Sequence, residues 1–424
     1  MAMIALNILR EVMLENRVEV MRHHVVARHI ALDDFERQVL VGVRRCGKSY
    51  LLYGKIQQLI AQGSTWDEIV YLNFEDERLA SMQLDDLNKI LEVHGSLSPR
   101  RPMLFLDEIQ NVEGWDRFVR RLADNKYTVY VTGSNAKMLS VDVASALGGR
   151  FLTREVFPLA FDEYLRINGV DPTDATLAMT TASRGEIGRR FEQYLHFGGF
   201  PECATLEAKR DYLSSLYQKI FLGDIAARHG VDNLFALRVL FRKLAESVMQ
   251  PLSYTRAANI VQASGAKIGK STIINYLDYA AEAFLILPVA NIVDRLQDRV
   301  SNPKYYFIDN GVISLLTLSS DALLLENVVA VHLLRTYGAR DAVYFYNHGV
   351  EVDFYVPDEK LAVQVCLSMR DAATFEREVS ALVKVQSRLE CRRNLVVTLE
   401  DEAVISRAGV TIELIPAWKF LLGL

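Results

Sequence analysis

With 424 residues the chain is too long for one core and has room for two or three domains. Half of its residues are hydrophobic and 24% are charged, which excludes a disordered or fibrous chain. A net charge of −5 excludes a general electrostatic pull toward nucleic acid, so any such contact must come from a local patch.

The first twenty residues are interrupted by Arg10, Glu11 and Glu15 and lack the apolar core of a signal peptide. The longest apolar run, 284–293, reaches about half of the roughly 20 residues a membrane helix needs. Cys46, Cys203, Cys366 and Cys391 stand far apart with no CxxC pair, which suits a reducing cytosol better than a disulfide framework or a zinc ribbon. A cytoplasmic protein without membrane contact is the expectation.

From about residue 37 to 157, the short apolar runs QVLVG, IVYLNF, MLFLDE, YTVYVTG and FLTREVF alternate with helical stretches. This alternation predicts a parallel sheet flanked by helices. The first run leads into VGVRRCGKSY, in which Gly42, four residues, and Gly47-Lys48-Ser49 match G-x-x-x-x-G-K-[ST]. Backbone N–H groups of such a loop wrap phosphates, and the start of the following helix adds its positive dipole end. The nucleotide-binding set is Gly42, Arg44, Arg45, Cys46, Gly47, Lys48, Ser49 and Tyr50. Lys48 is placed to reach the β- and γ-phosphates of ATP and the Ser49 hydroxyl to hold Mg²⁺. Arg44 and Arg45 either touch phosphate or stay solvated.

MLFLDEIQ closes its strand on Asp107-Glu108, some 60 residues on. Successive strand residues face opposite ways, so the pair divides its labour: Asp107 for the magnesium shell, Glu108 for polarising the attacking water. YTVYVTGSNA ends a third strand in polar residues. In this sheet class that strand lies between the two motif strands, which brings Thr132, Ser134 or Asn135 toward the γ-phosphate, with Asn135 favoured as a catalytic group. Asn73, in YLNFED, stands where a polar residue could regulate the catalytic glutamate.

The pieces VGVRRCGKSYLL, YLNFEDERL, LFLDEIQNVEGWDRFVRRL, VTGSNAKML, LGGRFLTREVFPLAFDEYL, YLHFGGFPE, Glu326-Asn327 and GVEVDFYV occur in this order over about residues 20 to 420. Together they make the chain resemble the AAA-type ATPases of bacteria and archaea that carry an associated C-terminal domain of unknown function. The resemblance implies an α/β P-loop NTPase parallel sheet with flanking helices. It further implies a helical and winged-helix region and a C-terminal α/β domain like a restriction endonuclease. On this basis the expected segments are 1–165, 166–295 and 296–424. The resemblance also makes Arg150 a basic residue near nucleotide, as a sensor of the γ-phosphate or a finger to a neighbouring subunit in an oligomer; Arg154 competes for that role.

Residues 160 to 250 read as helical. SYTRAANIVQASGAKIGKSTIINYLDYAAEAFLILPVANI then has the form of a winged helix, with Lys267, Lys270 and Asn275 available to DNA. Between 253 and 283 three basic residues face two acidic ones, a balance of +1 that is thin for a DNA clamp. DNA contact and protein docking both stay open.

After residue 296 strands return. In HGVEVDFYVPDEKLAVQVC, Glu351 and Asp353 are two apart on a strand and share one face. With Glu326 as a third acid, they have the outline of a metal site that could bind Mg²⁺. Gln364 and Cys366, however, stand where such a site needs an acid and a lysine, and Lys360 and Arg370 do not compensate. The expectation is a nuclease-like scaffold, inactive and vestigial as a metal site, attached to an ATP-hydrolysing unit. An ATP-dependent DNA endonuclease and a non-hydrolysing ATP-binding regulator are the alternatives.

Overall fold

The computed structural model describes residues 4–32, 36–134, 147–173, 180–293, 295, 299, 302–318, 320–338 and 341–424. The chain forms two compact units, Met1–Phe157 and Pro158–Leu424. The segments 166–295 and 296–424 fall together in the second.

The first unit carries five strands: β1 (Arg37–Val41), β2 (Ile69–Asn73), β3 (Met103–Asp107), β4 (Val129–Gly133) and β5 (Leu152–Glu155). They lie in the order β2-β3-β4-β1-β5 and every pair is parallel. A sheet covered on both faces requires continuous apolar strands, and β1 to β4 are buried along almost their whole length. The covering helices are α1 (Leu6–Arg22), α2 (Lys48–Ala61), α3 (Lys89–Leu97) and α4 (Trp115–Asp124). In α4, Trp115, Phe118, Val119 and Leu122 are buried at the 3-4-7 spacing of one helix face. Because the strands run the same way, the carboxyl ends of β1, β3 and β4 meet at one edge of the sheet. As expected from the sheet class, β4 lies between β3 and β1.

The second unit opens with helices α5 (Phe161–Ile167), α6 (Thr181–Phe197), α7 (Lys209–Lys219) and α8 (Leu234–Glu246). Next come α9 (Tyr254–Ala263), α10 (Lys270–Glu282) and the antiparallel pair β6 (Ile286–Val289) and β7 (Lys304–Phe307). Helices α11 (Asn310–Leu316) and α12 (Asp321–Tyr337) lead into a six-stranded sheet. Its strands are β8 (Tyr344–Asn347), β9 (Glu351–Val356), β10 (Leu361–Val365), β11 (Arg393–Thr398), β12 (Ala403–Arg407) and β13 (Val410–Pro416), ordered β12-β13-β11-β10-β9-β8. The centre, β10-β11-β13, is parallel and both edges are antiparallel. Helix α13 (Ala372–Val385) lays Val379, Leu382 and Val385 on this sheet.

The Glu326-Asn327 pair of the sequence has a divided role. The Asn327 side chain accepts from the Phe307 N–H at 2.8 Å and donates to the Phe307 carbonyl at 2.9 Å and to Asn310 Oδ1 at 2.8 Å. Asn310 in turn donates to the carbonyls of Leu195 and Leu324. Asp309 accepts from the N–H groups of Gly199 and Gly311. A Cβ on Gly198, which has φ +73°, would lie 1.8 Å from Asp309 Oδ1, so this position requires glycine. Asn327 is therefore a fastener between α6, β7, α11 and α12, and only Glu326 is left for the cleft described below.

Candidate functional site

The β1 strand ends in the loop 42–47, and α2 starts at Lys48 with Gly47 in the left-handed region at φ 101°. That conformation suits glycine, and it turns the loop sharply so that the first N–H groups of α2 face its hollow. A Cβ on Gly42 would stand 2.1 Å from the Val156 carbonyl oxygen, so the loop must be bare there as well. Arg28, which the sequence motifs did not single out, braces the loop from behind. Its guanidinium donates to the carbonyls of Cys46 at 3.0 Å and Phe157 at 2.9 Å. Cys46 is buried, and burial pushes its thiol up, so it packs as an apolar group.

Lys48 is 4% exposed. Its Nζ donates to the carbonyls of Gly42 at 3.0 Å and Val43 at 3.2 Å, and lies 3.6 Å from Glu108 Oε1. Burial works against its charge, yet the carboxylates of Glu108 and Asp107 hold its affinity for the proton above the ordinary lysine value. It is a charged ammonium held mainly by neutral carbonyls of its own loop.

Asp107 is fully buried at the end of β3. Tyr71, on the neighbouring strand β2, donates its hydroxyl to Asp107 Oδ2 at 2.8 Å, and Thr132 donates to Oδ1. Ser49 also reaches this carboxylate. Burial and the adjacent Glu108 raise Asp107, while these three hydroxyls oppose the rise. Glu108 sits in the left-handed region at φ 53°, uncommon for a residue with a side chain, and its N–H is held by Thr132 Oγ1 at 2.9 Å. Gln110 donates to Glu108 Oε2 at 2.5 Å. Burial opposes its charge, but Lys48 and Gln110 bring the carboxyl below the ordinary value, so Glu108 is an ionised acceptor. Thr132 thus braces both acids. Ser134 is buried beside Glu108, and Asn135 lies outside the described residues.

The other expected residues are distributed more widely. Arg44 pairs with Glu75 at 2.8 Å, Arg45 is exposed, and Tyr50 is half-exposed with its hydroxyl 3.1 Å from His23 Nδ1. His23 also stacks on Tyr53 at 5.3 Å between ring centres. Asn73, at the end of β2 and paired in register with Asp107, accepts from the Glu75 N–H at 2.9 Å and caps that turn. Arg150 also needs correction as a sensor within its own chain. It precedes β5, whose Leu152 pairs with Gln38 near the start of β1, so it lies at the sheet edge opposite the phosphate loop. There its guanidinium pairs with Asp124 at 2.6 Å.

A second constellation lies in the second unit. Lys304 and Tyr306 are two apart on β7 and share a face, as do Glu351 and Asp353 on β9. Lys304 is fully buried, with Nζ 3.0 Å from Glu351 Oε1, 3.4 Å from Glu326 Oε1 and 3.7 Å from Asp353 Oδ1. Tyr306 donates to Glu326 at 2.8 Å. Lys304, 22 residues before Glu326 in the chain, supplies the compensating base that Lys360 and Arg370 do not. Burial raises Glu326 to about 7, against the pull of Lys304. Lys304 itself is held well above the ordinary lysine value by the three carboxylates, in spite of burial.

Gln364 and Asp353 span the place where β9 and β10 part, beyond the last paired residues Val363 and Phe354. The Gln364 amide accepts from the Asp353 N–H at 2.8 Å and donates to the Glu351 carbonyl at 3.0 Å. Asp353 Oδ2 accepts from the Val365 N–H at 2.9 Å. Cys366 packs in the apolar cluster with Val379 and Leu382, where burial pushes its thiol up to about 12. Glu326, Glu351, Asp353 and Gln364 line a cleft of about 840 Å³ together with Arg377 and Glu378. Among the described residues no group of three or more His, Cys, Asp or Glu side chains is arranged to hold a metal ion. No helix among them is long and apolar enough to cross a membrane.

A parallel sheet ordered 2-3-4-1-5, with a glycine loop after β1 and an acidic pair after β3, defines a P-loop nucleotide-binding protein of the AAA type. The family model described as "AAA domain" matches residues 35–165, and one described as "Domain of unknown function (DUF8612)" matches 188–322. The chain is 32% identical to an uncharacterized protein of Methanocaldococcus jannaschii over 97% of its length and 94% of that protein's. It is 31% identical to an uncharacterized protein of Haemophilus influenzae over 78% of the chain and 82% of that relative. The chain belongs to this family of AAA-domain proteins. Among solved structures, the Walker-type ATPase paby2304 of Pyrococcus abyssi matches with a TM-score of 0.43 and 13% identity, over 67% of this chain and 92% of that one. Cdc6p of Pyrobaculum aerophilum matches with a TM-score of 0.28 and 14% identity, over 77% and 93%.

Proposed function

We propose that the first unit binds ATP with magnesium and hydrolyses it to ADP and phosphate. The observation that carries this reading is the convergence of Lys48, Ser49, Asp107 and Glu108 on one bare glycine loop, with Lys48 Nζ 3.6 Å from the ionised Glu108. The donor set fits the metal, since the Ser49 hydroxyl and the Asp107 carboxylate are hard oxygens brought together by the fold. Bound there, magnesium would neutralise charge on the phosphates.

Lys48 is released from two neutral carbonyls more readily than from a carboxylate, and its ammonium then pairs with the β- and γ-phosphates. Glu108, held by Gln110 and by its own strained backbone, accepts a proton of the water that attacks the γ-phosphorus in line with the leaving oxygen. Thr132 keeps the two acids in register, and Tyr71 fixes the direction of Asp107.

In the second unit, α8 to α10 followed by the β6–β7 pair support a winged-helix reading, with Lys267, Lys270 and Asn275 exposed. Asp278 is exposed on the same helix as Lys270 and Asn275, so the face has little net charge for phosphates. We take it as a docking surface for DNA or a protein partner, repositioned by the nucleotide state. The test of the whole reading is phosphate release measured beside nucleotide binding in the wild type and in Glu108→Gln. The expected result is binding in both and release in the wild type alone. Binding without release in the wild type would make ATP a structural ligand of a regulator.

A further inference from the structure

The nuclease-like outline of the second unit implies a divalent metal among Glu326, Glu351 and Asp353, and the residues around them do not fit one. A metal site of that kind needs carboxylate oxygens turned to a common point and free to bind. Here the common point is taken by the Lys304 ammonium, which touches an oxygen of each of the three acids at 3.0 to 3.7 Å. Several of the same groups carry further bonds. Glu326 Oε1 accepts from Tyr306 as well, Asp353 Oδ2 is bound to the Val365 N–H, and both ends of the Gln364 amide hold backbone.

We propose that Lys304 is the resident cation of this cleft: it takes the place of a metal, so that the second unit holds its shape without divalent ions and does not cleave phosphodiesters. Three elements meet on the one ammonium. Lys304 comes from β7, Glu326 from α12, and Glu351 with Asp353 from β9. The acids therefore tie the hairpin and the buried helix to β9 of the six-stranded sheet. An ammonium serves this better than a metal, because its three N–H groups match three carboxylates and are never lost to dilution or chelation.

The inference is independent of ATP hydrolysis, and its experiment is done without nucleotide. Mn²⁺ binding to the full chain is followed by electron paramagnetic resonance in the wild type, Glu351→Gln, Lys304→Met and the double variant. Glu351 is half-exposed and Gln keeps its size, while Glu326 and Asp353 still face Lys304, so Glu351→Gln keeps the fold. The wild type and Glu351→Gln are expected to bind Mn²⁺ equally, and Lys304→Met to gain an ion that Glu351→Gln removes again. An Mn²⁺ ion bound by the wild type and lost in Glu351→Gln would overturn the proposal. So would a folded Lys304→Met protein that gains no ion. If Lys304→Met does not fold, the comparison of the wild type with Glu351→Gln decides alone.

Discussion

Each unit of this protein buries a lysine beside acids, and the two lysines are held in opposite ways. Lys48 leans on two neutral carbonyls of its own loop, with one carboxylate at 3.6 Å. Lys304 is in contact with three carboxylates, the nearest at 3.0 Å. A charge held by neutral dipoles gains by meeting an anion, whereas one already surrounded by carboxylates has nothing to gain from another. On the function proposed above, the first arrangement is a receptor for phosphate and the second a finished ion cluster, which leaves phosphate chemistry to the first site alone.

The contrast can be broken most severely at Lys48 and Glu108. Lys48→Ala is expected to abolish nucleotide binding as followed with a fluorescent ATP analogue, with turnover lowered by at least about a thousandfold. Glu108→Gln is expected to keep binding and lose about a hundred- to ten-thousandfold in phosphate release.

Lys304→Met is expected to leave turnover per folded molecule unchanged and to destabilise the second unit. It leaves buried carboxylates without their cation, a loss of about 3–5 kcal/mol, read from chemical denaturation. Tyr71→Phe sharpens the picture of the first site: removing the donor to Asp107 Oδ2 should raise the magnesium concentration needed for half-maximal turnover by about tenfold, with ATP affinity little changed.

The smallest effect lies in pH. Glu326 titrates near 7 when folded and near its ordinary 4.5 when unfolded, so across that interval the folded state holds the extra proton. Stability contributed by this group falls as pH rises from about 4.5 to about 7. Glu326→Gln should flatten that part of the stability profile. Asp309, raised to about 6 by burial, leaves a residual slope of the same sign.

The phosphate loop could be read from sequence because its determinants are local: glycines, lysine and serine within eight residues, between an apolar strand and a helix. The position of β4 followed from the sheet class. Tyr71 and Arg28 could not be found in the same way. Tyr71 reads as one more apolar strand residue, and only the β2–β3 register carries its hydroxyl to Asp107. Arg28 acts across 129 residues of chain to reach the Phe157 carbonyl. Lys304 was hidden for a similar reason, since the stretch 348–370 supplies only Lys360 and Arg370 while the compensating charge comes from a different strand pair. The β12 strand escaped because it is an exposed edge with almost no buried face, so no alternation marks it.

One reaction tests both halves of the contrast together. Wild-type protein is incubated with ATP, magnesium and supercoiled DNA, and both phosphate release and the form of the DNA are followed. Phosphate release that disappears in Lys48→Ala, with the DNA left supercoiled, is the predicted result. Nicked or linear DNA that disappears in Glu351→Gln would contradict the account.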